Sequence, residues 1–419
     1  MKQTHTPRSK KIYLLGILAI IVVISATISS IIKREQSDQG KEAFLNDGVM
    51  SSASIQKTPS PTPKSEEEII EEKVQKEILA MKLEDKVSQL FMVAPEALAE
   101  SAEIEATVEL QQALTQYHVS GIVYFNKNLV SPEQLKKITA DTQKYAQETQ
   151  NIPLLLAVDE EGGSVARIAN HDKFSVKKLP DMVIIGTSGD KKEAYEVGST
   201  IGSYLHEYGL NLDFAPVADV LTNPENTIVE DRSFGSNPKV VTEMALQVSE
   251  GLKSQKVLSC FKHFPGHGAV AEDTHEGFAV TQKSWEELRK SEIVPFQRAV
   301  EEKIPFLMVS HIEAPNVTGD NVPASLSFRM MTELLRDEMG YEGIIITDSM
   351  QMKAITNQYD SASAAVKAIQ AGADIVLMPQ NFLEAYQGVL QAIKEGAITQ
   401  ERINQSLQRI LAVRLGLGK

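Results

Sequence analysis

The sequence predicts an α/β protein whose folded part is one (β/α)8 barrel, the TIM barrel architecture. Short apolar runs rich in β-branched residues recur eight times along the chain, and helix-like stretches separate them. The series occupies about 350 residues, enough for one large domain. A doubly wound sheet would need a glycine-rich phosphate loop after its first strand, and the sequence has none there. We therefore expect a barrel with its chemistry at one rim.

The predicted strands are the apolar runs in which valine, isoleucine, leucine and phenylalanine concentrate. They cover residues 89–94, 121–125, 153–159, 210–217, 257–263, 306–311, 343–348 and 373–378. The stretches between them have helical character. These predicted helices include residues 132–148, 191–208, 239–255, 286–302 and 361–371. Strand and helix alternate throughout, which is the order that a parallel barrel requires.

The N-terminal part predicts a membrane anchor. Residues 12–32 carry no charge and consist mostly of Ile, Leu, Val and Ala, which is the length that crosses a bilayer as a helix. A cleaved signal peptide fits less well, because its apolar region would be shorter and would end in a small-residue cleavage site. A slight excess of Lys and Arg before the span predicts that residues 1–11 are cytoplasmic. The chain is thus expected to be a single-pass protein of the cell membrane, with its folded domain extracellular.

A flexible tether is predicted between the span and the folded domain. Residues 33–64 are polar, with a Ser-rich stretch and a Thr-Pro repeat, and lack the apolar residues that could offset the entropy cost of ordering. Ser65 followed by Glu68 has the pattern of a helix capping box, and an amphipathic spacing follows. We therefore predict a disordered linker and one folded domain over residues 65–419.

Composition excludes some partners. The net charge is −14, and the folded part contains no Lys/Arg block to offset it, so a nucleic acid partner is not expected. The hydrophobic fraction of 42% supports a sizeable core. Cys260 is the only cysteine and lies in an apolar run, so it cannot form an intramolecular disulfide and is predicted to be buried. We expect a monomer.

Residues 262–275 contain the most reactive side chains of the sequence. Residues 262–268 read KHFPGHG, and the proline and glycines predict that the chain leaves its strand and turns there. Asp273 and His275 are two positions apart, so in an extended segment they project from the same side. The carboxylate can then fix the imidazole tautomer and stabilise its charged form. This pattern indicates a proton-transfer pair.

Two alternatives remain open for this segment. His263, His267 and His275 could form a zinc site, although their spacing matches no common zinc motif. The histidines could also serve only the hydrogen bonds of a solvated loop. We expect neither a metal nor another cofactor.

Polar residues follow the predicted strands where a barrel keeps its chemistry. They are Asp159, Asp213, Lys262 with His263, His311 and Asp348. Each aspartate could instead cap the following helix. For Asp213 the sequence supports helix capping and a role in the site equally. Asp348 ends an apolar run, so its carboxylate must be satisfied by hydrogen bonds or act as a nucleophile. A carboxylate nucleophile and a separate proton donor form the arrangement of a retaining glycosidase, and Asp348 and His275 fit these roles.

From about residue 83 to 417 the chain resembles glycoside hydrolase family 3, and within it the single-domain β-N-acetylglucosaminidases of the peptidoglycan-recycling type. The matching segments read LEDKVSQL at 83–90, VDEEGG at 158–163, DRSFG at 231–235, KHFPGHG at 262–268 and DTH at 273–275. The sequence departs from the family pattern at Ala269-Val270, usually Asp-Thr, at Thr274, usually Ser, and at Ser164, usually Arg. None of these departures removes a catalytic group.

The resemblance implies an activity and roles for individual residues. The substrates would be peptidoglycan-derived saccharides with N-acetylglucosamine at the non-reducing end. Asp348 would be the nucleophile, and His275 with Asp273 the acid/base dyad. The residues that would bind the sugar are Asp159, Arg167, Arg232, Lys262 and His263. A phosphorolytic enzyme and a non-catalytic sugar-binding protein remain as alternatives, but the latter would be expected to lack Asp348 or His275.

Overall fold

Eight parallel strands form a nearly closed barrel in a computed structural model of the protein, which describes residues 64–271, 273, 274, 277 and 279–417. The strands are β1 Phe91–Val93, β2 Gly121–Val123, β3 Leu155–Val158, β4 Leu212–Asp213, β5 Leu258–Phe264, β6 Phe306–Val309, β7 Ile344–Thr347 and β8 Val376–Leu377. Each of the eight predicted runs overlaps one of them, and only β5 extends beyond its run, by one residue. The predicted α/β class is confirmed, and the sheet is consistent with the predicted (β/α)8 barrel.

The sheet order follows the chain around the barrel. Neighbouring strands pair in parallel from β1 to β7, and β8 pairs with β1, where Phe91 lies opposite Val376. Between β7 and β8 there is one bridge, from Ile346 to Ile375. The residues of all eight strands are buried except Leu258, which is partly exposed. The carboxyl ends of the strands therefore meet at one rim above a filled interior.

Helices alternate with these strands. The helices are α1 Glu66–Ala80, α2 Leu83–Ser88, α3 Pro95–Leu98, α4 Val108–Gln116, α5 Pro132–Gln150, α6 Met182–Ser188, α7 Lys191–Glu207, α8 Pro238–Ser254, α9 Trp285–Leu288, α10 Val294–Glu301, α11 Pro315–Thr318, the π-helix α12 Arg329–Glu338, α13 Lys353–Thr356, α14 Ser361–Ala371, α15 Phe382–Lys394 and α16 Gln400–Gly416. Short 3₁₀ turns cover Glu100–Ala102, Asn126–Asn128, His267–Ala269 and Ala324–Leu326.

Several predictions for the N-terminal part lie outside the described residues. These are the cytoplasmic segment 1–11, the span 12–32 and, except for Lys64, the linker 33–64. Within the described part of the chain, no helix combines the length and the apolar character needed to cross a membrane. The predicted capping box at Ser65 and Glu68 is present and begins α1. Cys260 is buried, as predicted.

The structure corrects the predicted helix over residues 286–302. Two helices, α9 and α10, occupy this stretch, and the chain between them lies outside both. Pro295 stands in the first turn of α10, where its missing amide hydrogen costs nothing, so the sequence favours a helix start there. The break leaves Glu292 outside a helix with its side chain fully buried.

Arg414 ties the last helix to the amino-terminal side of the barrel. Its guanidinium is fully buried and donates to the carbonyls of Pro153 at 2.7 Å and Ile152 at 3.2 Å. It also donates to the side chains of Gln150, at 3.1 Å, and Gln89. These acceptors precede β1 and β3, so a single side chain joins α16 to two strands.

We expect Arg414→Met to lower the free energy of unfolding by about 3 kcal/mol, because several buried carbonyls lose their donor. Chemical denaturation would measure the change. Arg329→Met is the matched control, because Arg329 pairs with Glu333 on the surface with both side chains nearly half exposed. The control should change stability little. Equal losses in the two variants would contradict the role assigned to Arg414.

Candidate active site

A buried network of two carboxylates and two cations forms one side of the rim. Lys262, near the end of β5, places its ammonium 2.8 Å from Asp159 and 2.7 Å from Glu161. Arg232 reaches the same Glu161 through two bonds of 2.7 Å each. Asp159 follows β3 directly, and Glu161 lies in the short hairpin Glu160–Gly162 with Val165–Ala166. The network therefore joins three segments that are far apart in sequence.

Electrostatics keeps this network charged despite its burial. Burial alone would raise the pKa of Glu161, but Arg232 and Lys262 outweigh it and hold the pKa well below its ordinary value. Burial alone would lower the pKa of Lys262, yet Asp159 and Glu161 raise it. The pKa of Arg232 is likewise raised against its burial, mainly by Glu161. All three groups are consequently ionised at neutral pH.

Arg167 extends the network towards the cavity. One of its terminal nitrogens lies 4.0 Å from Asp159, and its guanidinium lies 5.9 Å from the ring centroid of Phe125. Its buried Nε has no hydrogen-bond partner within the described part of the chain. Arg167 thus has donor capacity directed at the same region as Asp159.

Asp219 fixes the start of the turn after β5. Its carboxylate lies 2.7 Å from Nδ1 of His263 and accepts the backbone amides of His263 at 3.2 Å and His267 at 2.6 Å. Because Nδ1 of His263 is hydrogen-bonded to Asp219, Nε2 is the ring nitrogen that can contact a ligand in the cavity. Burial and His263 lower the pKa of His267 to about 4, so that imidazole is neutral at pH 7.

Asp348 follows β7 and opens into the cavity from the opposite side. Its carboxylate accepts the amide of Ser349 at 2.7 Å. Burial alone would raise the pKa of Asp348, but His263, His311 and the Ser349 amide outweigh it and lower the pKa. Asp348 is therefore an ionised carboxylate in a protected position, which suits a nucleophile.

A cavity of about 600 Å³ unites these residues. Six of the eight predicted site residues line it: Asp159, Arg167, Arg232, Lys262, His263 and Asp348. Apolar walls come from Phe125, Val165, Phe214, Met308, Met352, Leu377 and Met378. Charged and apolar surfaces together are typical of sites that bind a sugar, whose rings have polar edges and apolar faces.

The two other predicted site residues belong to the segment after the turn. Asp273 is described but does not line the cavity, and its carbonyl accepts the amide of Gly277 at 3.2 Å. His275 lies outside the described residues, so the predicted proton-transfer pair stays a prediction. Thr274, between them, is buried and has its hydroxyl 3.3 Å from Nε2 of His267.

Two of the polar residues at strand ends do not line the cavity, and two buried carboxylates of the site were not predicted. Asp213 does not cap a helix: it accepts the amide of Glu160 at 3.0 Å, while Asn237 caps α8. His311 does not line the cavity and bonds Ser325 and the Ser349 carbonyl instead. Glu161 and Asp219 were missed, although Glu161 belongs to the VDEEGG segment and Asp219 follows a predicted strand.

The zinc alternative requires His263, His267 and His275 to lie close together. Among the described residues, no group of three His, Cys, Asp or Glu side chains lies close enough to hold a metal ion. The third ligand of the proposed zinc site, His275, is outside this set. His263 is another of the three proposed zinc ligands, and its Nδ1 is already hydrogen-bonded to Asp219.

Comparison with known proteins identifies relatives along most of the chain. Residues 82–413 match the family described as glycosyl hydrolase family 3 N terminal domain. Beta-hexosaminidase A of Pseudoalteromonas piscicida is 32% identical over 332 residues, which cover 74% of this chain and 55% of that protein. Beta-hexosaminidase LpqI of Mycobacterium tuberculosis is 30% identical over 338 residues, which cover 79% and 82%. The chain thus spans just over half the length of the first relative.

A solved structure is similar over the same region. A glycoside hydrolase family 3 β-N-acetylglucosaminidase from Paenibacillus sp. str. FPU-7 superposes with a TM-score of 0.76 at 35% identity. The match covers 81% of this chain and 64% of that chain. The match therefore covers most of the described domain.

We expect Glu161→Gln to lower the free energy of unfolding at pH 7 by about 3 kcal/mol, because two buried cations lose their shared carboxylate. The stabilisation by Glu161 is complete above about pH 4.5, the ordinary pKa, and is lost as pH falls towards the lowered folded pKa. The difference from the unmodified protein should therefore shrink below pH 4.5. Chemical denaturation at pH 7, 4 and 3 would measure it.

The control for this prediction is Glu207→Gln, which breaks the exposed Lys136–Glu207 pair. It should leave stability unchanged at all three pH values. A pH-independent loss in Glu161→Gln would contradict the charge-based account of the network.

Proposed function

Because the chain belongs to glycosyl hydrolase family 3, we propose that it is a retaining exo-β-N-acetylglucosaminidase that acts on peptidoglycan fragments. One observation carries the proposal: the ionised Asp348 opens into the same cavity as Asp159, Arg167, Lys262 and Arg232. A nucleophile and a set of fixed hydrogen-bonding groups thus surround one space. The names of the relatives, beta-hexosaminidase and β-N-acetylglucosaminidase, agree with the sugar class.

The proposed reaction has two steps. Asp348 attacks the anomeric carbon, a glycosyl ester forms, and the glycosidic bond breaks as its oxygen takes a proton from His275. The neutral His275 then removes a proton from water, which attacks the anomeric carbon and releases Asp348. Asp273 holds the imidazole and stabilises its charged form in both steps. Two inversions return the β configuration.

The cavity is suited to the end of a saccharide. Because packed strand residues fill the barrel interior, the cavity is closed on the side that faces the barrel interior. A terminal sugar would enter with its hydroxyls towards Asp159, Arg167, Lys262 and His263. We propose exo action at the non-reducing end, as the resemblance to the peptidoglycan-recycling enzymes implies.

Charge around the cavity favours acidic wall fragments as substrates. Among the residues that the structure describes, five cationic side chains line it: Lys127, Arg167, Arg232, Lys262 and Lys353. Four carboxylates accompany them: Glu96, Asp159, Glu161 and Asp348. The described lining thus has one more cation than carboxylates, in a chain of net charge −14. Muropeptides carry carboxylates, and this local excess of cations reduces their repulsion by the protein.

We propose in addition that residues 12–32 anchor the enzyme in the cell membrane, with the glycosidase domain extracellular and monomeric. The proposal depends on the uncharged length of this segment. The described domain would then meet wall fragments outside the cell.

A 5-fluoro N-acetylglucosaminyl donor should trap the enzyme as a covalent adduct, because the fluorine slows hydrolysis of the glycosyl ester. Mass spectrometry of the digested protein should find the sugar mass on the peptide that contains Asp348. The matched Asp348→Asn variant should remain unlabelled. An enzyme that keeps its turnover and retention without any label on Asp348 would favour a route in which the substrate amide is the nucleophile.

Hydrolysis and phosphorolysis share this intermediate, so the products distinguish them. In phosphate buffer we expect free β-N-acetylglucosamine as the first product. Sugar 1-phosphate in its place would contradict the hydrolase assignment.

Removal of residues 1–64 should yield a soluble protein with unchanged kcat/KM, because the compact unit Lys64–Lys419 loses only its first residue. Activity on an aryl β-N-acetylglucosaminide and membrane partitioning of the full chain would test this. An inactive fragment, or a full chain that stays in the soluble fraction, would contradict the anchor and its boundary.

A further inference from the structure

A buried carboxylate away from the cavity has no role in the reaction described above. The Glu292 side chain is fully buried in the break between α9 and α10. Its carboxylate accepts hydrogen bonds from the hydroxyls of Thr222 and Ser291 and from the ammonium of Lys283. Lys283 also donates to the Thr222 hydroxyl at 2.8 Å. A charge in this position is costly to bury unless its partners are held in place.

One set of contacts around Glu292 fixes the beginning of the segment that follows β5, at Gly266 and Gly268. Gly266 has a φ of 130°, and a Cβ added there would lie 2.6 Å from Cβ of Glu292. The backbone therefore passes directly against Glu292 at this glycine. Two residues later, the carbonyl of Gly268 accepts the amides of Thr222 at 3.1 Å and Asn223 at 2.9 Å. Thr222 thus links Gly268 to Glu292.

The second group holds the end of the same segment. Lys283 pairs with Glu292 while its side chain remains one-third exposed. Just before it, Thr281 donates its amide to the Glu313 carbonyl at 2.9 Å, and the Glu313 amide donates to the Ala279 carbonyl at 2.9 Å. The chain is therefore fixed at both sides of residues 269–278, which include Asp273 and His275.

We propose that Glu292 and Lys283 are positioning residues that set the geometry of proton transfer by joining both ends of the segment that carries Asp273 and His275. The inference rests on the proposed function of that pair. Proton transfer falls steeply when the donor is displaced by a fraction of a bond length. A common anchor restricts both ends of the segment at once. A loop of this length without the anchor would lack that restriction.

A purely structural role would have a different kinetic signature. Loss of stability alone reduces the amount of folded enzyme and lowers kcat/KM equally for every substrate. Loss of positioning affects only substrates whose leaving group needs a proton. A phenyl glycoside needs this proton, whereas a 2,4-dinitrophenyl glycoside leaves without it. The ratio of kcat/KM for these two substrates therefore reports positioning.

The experiment compares Glu292→Gln and Lys283→Met on phenyl and 2,4-dinitrophenyl β-N-acetylglucosaminides. For the phenyl substrate we expect kcat/KM to fall roughly 10–100-fold, and for the dinitrophenyl substrate less than about threefold. His275→Ala is the reference and should show the same selectivity more strongly. Lys136→Met is the matched control, because Lys136 is an exposed lysine paired with Glu207, and it should change neither value. Thermal denaturation of each variant measures the folded fraction.

The outcomes separate this inference from the proposed function. If His275→Ala is selective while Glu292→Gln and Lys283→Met lose activity equally on both substrates, the positioning role is overturned and the proposed function stands. If His275→Ala shows no selectivity, the acid/base assignment fails and the inference fails with it. If Glu292→Gln does not fold, Lys283→Met decides, because Lys283 is partly exposed and its replacement leaves Glu292 with two hydroxyl donors.

Discussion

The ion network around Lys262 is the interaction on which the rest of the site depends. A buried ammonium is stable only beside carboxylates that are held at contact distance, and Asp159 and Glu161 supply them at 2.8 and 2.7 Å. Glu161 in turn requires Arg232. Three segments must therefore adopt one arrangement together, because any other arrangement would leave a charge buried without a partner. This requirement fixes the positions of the charged side chains that line one side of the cavity.

Glu160 and Glu161 are neighbours in one short hairpin, and their pKa values shift in opposite directions because their surroundings differ. Burial raises the pKa of Glu160, whose carboxyl accepts the amides of Ile168 and Ala169 and the hydroxyl of Tyr204. Adjacent Glu161 has a lowered pKa because it faces two cations. Successive side chains of a strand point to opposite sides. Glu160 therefore stabilises the loop, whereas the next residue, Glu161, stabilises the site.

The sequence was informative where the physical cause is local. Apolar periodicity located all eight strands, and the polar residue at a strand end located Asp159 and Asp348. Pairings between distant segments left no local signal: Glu161 meets Arg232 across 71 positions, and Asp219 meets His263 across 44. Strand length was overestimated for every strand except β5. The run 210–217 forms a strand only at Leu212–Asp213, since Pro216 has no amide hydrogen for the ladder.

Arg414 also determines when the protein can reach its native state during synthesis. Its acceptors lie 261 to 325 positions earlier in the chain, at Pro153, Ile152, Gln150 and Gln89. A ribosome therefore releases β1 and β3 long before the side chain that secures them exists. At about 5–20 residues per second, this interval lasts on the order of tens of seconds, during which the amino-terminal side of the barrel exposes apolar surface. Nascent chains of this protein should accordingly be clients of chaperones until the last helix emerges.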